Sequence, residues 1–317
     1  MRLSRRSTIA LAFLVGLLAM SACSERSEII ARQRSEPTSG AGGVPDEAQP
    51  GGAAGSGAGT ERPRFGTPVV VSELSDPDAK DQDPSLTEDL LEIFFFTDRD
   101  GDEDIWTSRR SSRTASWEAP VPVEELNSGD AEQSPAISRD GLRILYYSRR
   151  EPPGIFATQR PTRESPWDPP EPIPIQVDEP EGVVIAPSLD ALELRMAVSV
   201  GTGESRDIYE LVRPSLTGTW SEPSPIEGLN LDVTDSTPFL IDDGSELLFS
   251  SGRSGTGDLY WAHRTTPAQP VERVEALEEL NDPDAFESHP HLAVDRSVVF
   301  FGSTRSGNTD IYEAPAR

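Results

Sequence analysis

From residue 65 onward the chain is a succession of short apolar runs, such as ILYYS and LLFSS, each bounded by glycine, proline, asparagine or aspartate. Runs of that length between turn formers predict strands. They recur in a fixed register. Pro84, Pro135, Pro187, Pro238 and Pro290 are separated by 51, 52, 51 and 52 residues. Five positions after the proline come Asp89, Asp140, Asp243 and Asp295, often in a D-G turn. Fifteen positions after it come Arg99, Arg150, Arg253 and Arg305, and twenty after it Asp104, Asp207, Asp258 and Asp310, each before Ile or Leu and then an aromatic. The second unit is one turn residue short, so Gly154 stands where the aspartate would be. The third has Thr202 in place of the arginine and a degraded PSLDALELRM.

Each unit divides into four strands: one after the proline, the ILYYS-type run, the DIY segment, and a fourth starting at Trp117, Trp167 or Trp220. Four strands per repeat of this length is the signature of a propeller blade. The segment starting at Phe65 matches a fourth strand and its lead-in, whereas the chain stops after a third strand at DIYEAPAR. Pairing the two ends removes two open sheet edges. The expected fold is therefore all-β, a five-bladed β-propeller of four-stranded blades over residues 65–317, its ring closed by an N-terminal strand completing the last blade.

Composition agrees and narrows the partners. A formal net charge of −27, with 29 prolines and 25 glycines in 317 residues, describes an acidic, turn-rich chain rather than a helical one. Lys80 is the only lysine, so nucleic acid is not an expected partner.

Residues 1–22 carry Arg2, Arg5 and Arg6 before an apolar run too short and wrongly flanked to span a membrane, which predicts an export signal. Ser21 and Ala22 lead into Cys23, the one cysteine, and this junction resembles the lipobox of bacterial lipoproteins. The resemblance implies lipid attachment at Cys23 and a cell-envelope address. Ser24 is similar to the class sent to the outer membrane, facing the periplasm or the cell surface. Arg5 and Arg6 also resemble a twin-arginine signal, from which Thr8 and Ala10 depart, leaving the export route open. Residues 23–64, rich in Gly, Ala, Ser and Pro, lack the apolar side chains that would offset chain entropy and are expected to be a disordered tether.

The pattern in SPAISRDGLRILYYSRR and SGRSGTGDLYWAHR resembles the WD40-like repeats of TolB-type β-propellers. The likeness spans roughly 250 residues and speaks for fold. It implies a module that binds or assembles rather than catalyses, and nothing in the chain resembles the additional N-terminal domain of TolB.

Candidate chemistry is sparse. There is no G-x-S-x-G and no dinucleotide or phosphate-loop fingerprint, and the histidines are His263, His289 and His291. His289 and His291 flank Pro290, where metal ligation is one reading and a turn residue in the place of Ser134 or Thr237 the simpler one. Two opposed carboxylates for glycoside hydrolysis would have to come from inner strands. The tryptophans are read as blade packing rather than sugar platforms.

In a four-stranded blade, the turn between strands two and three shares a face with the connection to the next blade. Those connections hold Asp76, Asp78, Asp81, Asp83, Asp130, Glu132, Asp178, Glu179, Glu181, Asp232, Asp235, Asp282, Asp284 and Glu287, which predicts one strongly negative face. Asp98, Asp100 and Asp102 join them, and because sister blades place Arg149, Gly252 or Thr304, then Glu151, Ser254 or Ser306, then Pro153, Thr256 or Asn308 there, the three aspartates are the candidate calcium ligands; no other cofactor is expected. Two functions follow. The first is a non-catalytic, lipid-anchored envelope propeller, monomeric, that binds a protein or cell-wall ligand and meets the membrane through its lipid alone. The alternative is a carbohydrate-active enzyme or lectin using the funnel.

Overall fold

The computed structural model describes residues 61–177, 182–202 and 205–317; Cys23, the export signal and most of the tether lie outside them, as do Asp178, Glu179 and Glu181. The described chain begins its strands with β1 (Val69–Val70). Blade 1 comprises β2 (Asp81–Leu86), β3 (Glu92–Thr97), β4 (Asp104–Arg109) and β5 (Val121–Pro122). Blade 2 comprises β6 (Glu132–Ile137), β7 (Arg143–Ser148), β8 (Gly154–Gln159) and β9 (Glu171–Pro172). Blade 3 comprises β10 (Val183–Leu189), β11 (Arg195–Thr202), β12 (Ser205–Val212) and β13 (Ser224–Pro225). Blade 4 comprises β14 (Asp235–Ile241), β15 (Glu246–Ser251), β16 (Asp258–His263) and β17 (Arg273–Ala276). Blade 5 is β18 (Glu287–Leu292), β19 (Val298–Ser303) and β20 (Asp310–Pro315), with β1 as its outermost strand. All pairings are antiparallel, and β1 meets β20 through Val69 opposite Glu313 and Val70 opposite Tyr312. The protein is an all-β, five-bladed propeller.

Why the second strands are apolar throughout follows from stacking. In β3 (EIFFFT) Phe94 packs with Tyr146 and Trp167 of blade 2, while Ile93 and Phe95 pack with Phe300 and Ile311 of blade 5. Alternate side chains thus point to opposite neighbours, both faces of a blade are covered, and no polar alternation is needed. The core is accordingly five wedges between blades. Phe65, ahead of β1, is wholly buried in the wedge between blades 4 and 5, beside Trp261, Leu277 and Leu280. Arg62, placed in the tether by composition, is already fastened there by two hydrogen bonds to Glu279, at 2.8 and 3.0 Å.

The tryptophans do not start the fourth strands. Trp117, Trp167 and Trp220 each lie four residues before β5, β9 and β13, in the loop that leads to them. Each is capped by a guanidinium: Arg110 stands 4.2 Å from the ring centroid of Trp117, Arg160 4.3 Å from Trp167 and Arg213 4.4 Å from Trp220. They are blade packing, as the repeat implied, with a cation–π lid that holds the loop down. A second latch joins connection to blade. The amides of Asn127, Asn230 and Asn281 each bond both backbone groups of a third-strand residue, Ile105, Ile208 and Leu259.

Candidate functional site: the axial mouth and the face around it

The inner strands β2, β6, β10, β14 and β18 line the axis, and at each the repeat proline has no N–H to give to the ladder. The register shifts across it, as between Gln82 and Ser85 or Ser288 and His291. The residue before each proline, Asp83, Ser134, Ala186, Thr237 or His289, sits in the left-handed region at φ of 59°, 52°, 52°, 50° and 51°. Non-glycine residues rarely do so. Here the bulge is repeated five times around the axial mouth and turns these side chains toward one another. Asp83 Oδ2 accepts from Ser134 N at 3.1 Å and Ser134 Oγ at 2.9 Å. Thr237 Oγ1 accepts from His289 N at 3.1 Å. The ring closes between blades 5 and 1, where His289 Nδ1 lies 2.6 Å from Asp83 Oδ1, in poor alignment for a hydrogen bond and with neither atom otherwise partnered.

One layer further along the axis the funnel is apolar. His291 packs its ring 4.6 Å from Phe239, among Ile137 and Leu189. Burial, reinforced by the charge of Arg139, lowers its pKa to about 3, so the ring is neutral at ordinary pH. His289 and His291 therefore serve different neighbours, and among the described residues no three His, Cys, Asp or Glu are gathered so as to hold a metal ion.

The inner-strand acids are not free. Asp81, Glu132, Asp235 and Glu287, counted with the loop acids from sequence, are the first residues of β2, β6, β14 and β18 and are all wholly buried. Each meets the repeat arginine of its own blade. Asp81 bonds Arg99; Glu132 lies 3.1 Å from Arg150, Asp235 2.7 Å from Arg253 and Glu287 2.8 Å from Arg305. The same arginines donate to the carbonyls of Leu74, Leu126, Leu229 and Leu280 in the preceding connection and lie over aromatic rings of strands two and three. An arginine serves here because a planar fork can bond a carboxylate and a carbonyl while stacking on a ring. In blade 3 the acid position is Val184 and the arginine position Thr202. Asp83, also buried, belongs to the axial ring. These five acids leave the exposed set.

What remains exposed is spread over the connections: Asp130, Asp232 and Asp284 are exposed and Asp282 half-buried, and blade 1 adds more. Asp78, Asp100 and Asp102 are exposed, and Asp76, Asp98 and Glu103 half-buried. Asp98 accepts from the backbone N of Lys80 at 2.8 Å, and Lys80 Nζ lies 3.6 Å from Asp98 and 3.7 Å from Glu103. Those contacts place the turn and the connection on one face. Of the candidate calcium ligands, Asp98 is spent on this bridge, while Asp100 and Asp102 face solvent. The repeat aspartates begin the third strands, save Asp207, third residue of β12. Burial raises the pKa of Asp104 and Asp207, helped by Glu132 for the first and Asp235 for the second. The opposite face mixes signs in pairs, such as Arg139 with Asp242 at 2.9 Å and Arg296 with Glu246 at 2.6 Å. Among the described residues no helix is long and apolar enough to cross a membrane.

No protein-family profile and no curated protein matches the sequence. Solved structures do match. The catalytic domain of a GH62 α-L-arabinofuranosidase from Coprinopsis cinerea superposes with a TM-score of 0.54 at 12% identity, over 80% of this chain and 96% of that one. The α-L-arabinofuranosidase PaAbf62A from Podospora anserina gives 0.52 at 12% identity over the same shares. TolB from Acinetobacter baumannii is also among the neighbours, with a TM-score of 0.47 and 14% identity over 77% of this chain and 56% of that one. At these identities the likeness is one of fold alone.

Proposed function

We propose that the protein is a non-catalytic binding platform of the cell envelope, anchored by lipid on Cys23, which engages a protein partner through the face formed by the blade-to-blade connections. The observation that carries it is the fate of the inner-strand acids. Hydrolysis of a glycoside by the common route needs two carboxylates facing each other across the bond. Asp81, Glu132, Asp235 and Glu287 are each buried against an arginine, which leaves Asp83 as the one carboxylate at the axial mouth among the described residues. The carboxylates that solvent reaches stand on loops around an open face instead, the arrangement suited to attracting a basic partner.

The carbohydrate-active alternative draws on the arabinofuranosidase neighbours and on the polar ring at the mouth, and one experiment separates the two. The purified chain is incubated with arabinoxylan, oligogalacturonate and peptidoglycan fragments, and new reducing ends are counted. No turnover is expected. Turnover that disappears in Asp83→Asn would overturn the platform reading in favour of the funnel.

A further inference from the structure

We infer that the axial mouth is a binding site for a primary ammonium group on an unbranched aliphatic chain, supplied by a lysine side chain of the partner. The site is read from the axial ring itself; the source of its occupant rests on the platform function proposed above.

Asp83 is 3% exposed and lines the mouth. The other buried carboxylates of the inner strands, Asp81, Glu132, Asp235 and Glu287, each face an arginine. Asp83 faces none, and no lysine or arginine lines the mouth among the described residues. A buried carboxylate without a counter-ion is the costly arrangement that the rest of the inner strands avoid.

Its two oxygens differ. Oδ2 is served by the backbone N and the hydroxyl of Ser134. Oδ1 accepts no hydrogen bond, and His289 Nδ1, 2.6 Å away, makes none either. A proton on Nδ1 would draw the two atoms into line, as a charge-assisted hydrogen bond requires. The misaligned contact is that of two acceptors, and the backbone holds them together. Both residues sit in the left-handed region before a proline, at φ of 59° and 51°. Strain of that kind persists only where the surrounding structure enforces it, and it gathers at functional sites.

The missing group is a cation with several N–H donors. An ammonium has three. Two answer Asp83 Oδ1 and His289 Nδ1, and the third has Ser134 Oγ, which has given its proton to Asp83 and keeps its lone pairs. A guanidinium fits less well, because its fork asks for both carboxylate oxygens and Oδ2 is taken. A metal ion lacks ligands, since among the described residues no third His, Cys, Asp or Glu joins the two.

The cavity agrees in size and lining. It encloses about 70 Å³, where a water needs roughly 10–15 Å³. Pro84, Pro135, Pro187, Pro238 and Pro290 wall it with apolar rings. Such a wall around one carboxylate suits methylenes that end in a charge, the form of a lysine side chain. The ring lies two residues past the start of β2, β6, β14 and β18, at the end where the blade-to-blade connections enter, so the mouth belongs to the face offered to the partner.

The test uses the full chain with isotope-labelled histidine rings, followed by NMR. It is titrated with a capped peptide carrying a single lysine, with the same peptide acetylated on Nζ, and with a free aliphatic diamine. The lysine peptide should move the His289 ring signals, leave those of His263 on β16 in place, and bind at least tenfold tighter than the acetylated form. Asp83→Asn should abolish the response, and Asp100→Asn, exposed on the same face, should leave it unchanged. Asp83→Asn also reads the two-acceptor contact without any ligand. Its carbonyl keeps Ser134, its amide donates to Nδ1, and asparagine accepts the left-handed backbone, so the urea midpoint at neutral pH should rise. A fall in that midpoint would show that His289 already serves the carboxylate and would overturn the site, as would equal binding of the acetylated peptide. A diamine that binds more tightly than the lysine peptide would overturn lysine as the source. A response to zinc or calcium chloride alone, lost in Asp83→Asn, would overturn the ammonium site in favour of a metal. Each of these outcomes leaves the platform function standing, which falls instead to glycan turnover.

Discussion

Val184 and Thr202 occupy in blade 3 the two positions, eighteen residues apart, that Glu132 and Arg150 occupy in blade 2. The blade thus lacks both partners of a buried ion pair rather than one. That is what desolvation demands, since a buried charge without its counter-ion is far costlier than two neutral side chains. It predicts that Arg150→Thr, which strands Glu132, costs about 3–5 kcal/mol. Glu132→Val with Arg150→Thr, which copies blade 3, should cost clearly less than the single substitution. Urea unfolding of the three chains decides it, and a double variant no more stable than Arg150→Thr would contradict the pairing.

The axial histidine makes stability depend on pH. Burial depresses the folded pKa of His291 to about 3, so between there and the ordinary histidine value the unfolded chain binds the extra proton. Stability from this group is complete above pH 6.5 and drains away as the pH falls toward 3. His291→Phe, which keeps the contact with Phe239, should remove that loss. Between pH 7 and 4.5 the wild-type midpoint in denaturant should fall more than that of the variant. Parallel falls would show that the ring is hydrated.

Asp104 and Asp207 act in the other direction. Their folded pKa values are raised, so each disfavours the fold while ionised, and stability recovers as the pH drops from neutral into their raised range. Asp104→Asn should therefore raise the melting temperature at pH 7, with the gain shrinking toward pH 4. A lower melting temperature at pH 7 would mean that the carboxylate has a stabilising partner.

Trp167 is 7% exposed, lidded by Arg160 and met edge-on by Phe94 at 6.0 Å. Trp167→Ala should cost about 3–5 kcal/mol, the range for large buried aromatics, whereas loss of a sugar platform would leave stability unchanged.

Blade number was legible because Pro84, Pro135, Pro187, Pro238 and Pro290 mark a backbone requirement that a single residue type meets. The arginine at Arg99, Arg150, Arg253 and Arg305 was legible for the same reason. Its partner was not, because either Asp or Glu serves at that position and each stands in a stretch already crowded with acids. The axial ring was hidden more thoroughly: Asp83, Ser134, Ala186, Thr237 and His289 share a backbone conformation and no side-chain type. Phe286 reads as one more loop residue until Gly257, far away in the chain, is seen beneath it. Pairings between distant positions of varying identity leave no periodic trace in a single sequence.

Which face meets the partner is the point on which the account turns, and photo-crosslinking tests it directly. A photoreactive residue is placed at Phe286 on the acidic face, or at Arg113, an exposed residue of the opposite face, in the full chain within the producing cell. A discrete crosslinked protein from position 286 and none from 113 is predicted. The same product from 113 alone would contradict the account.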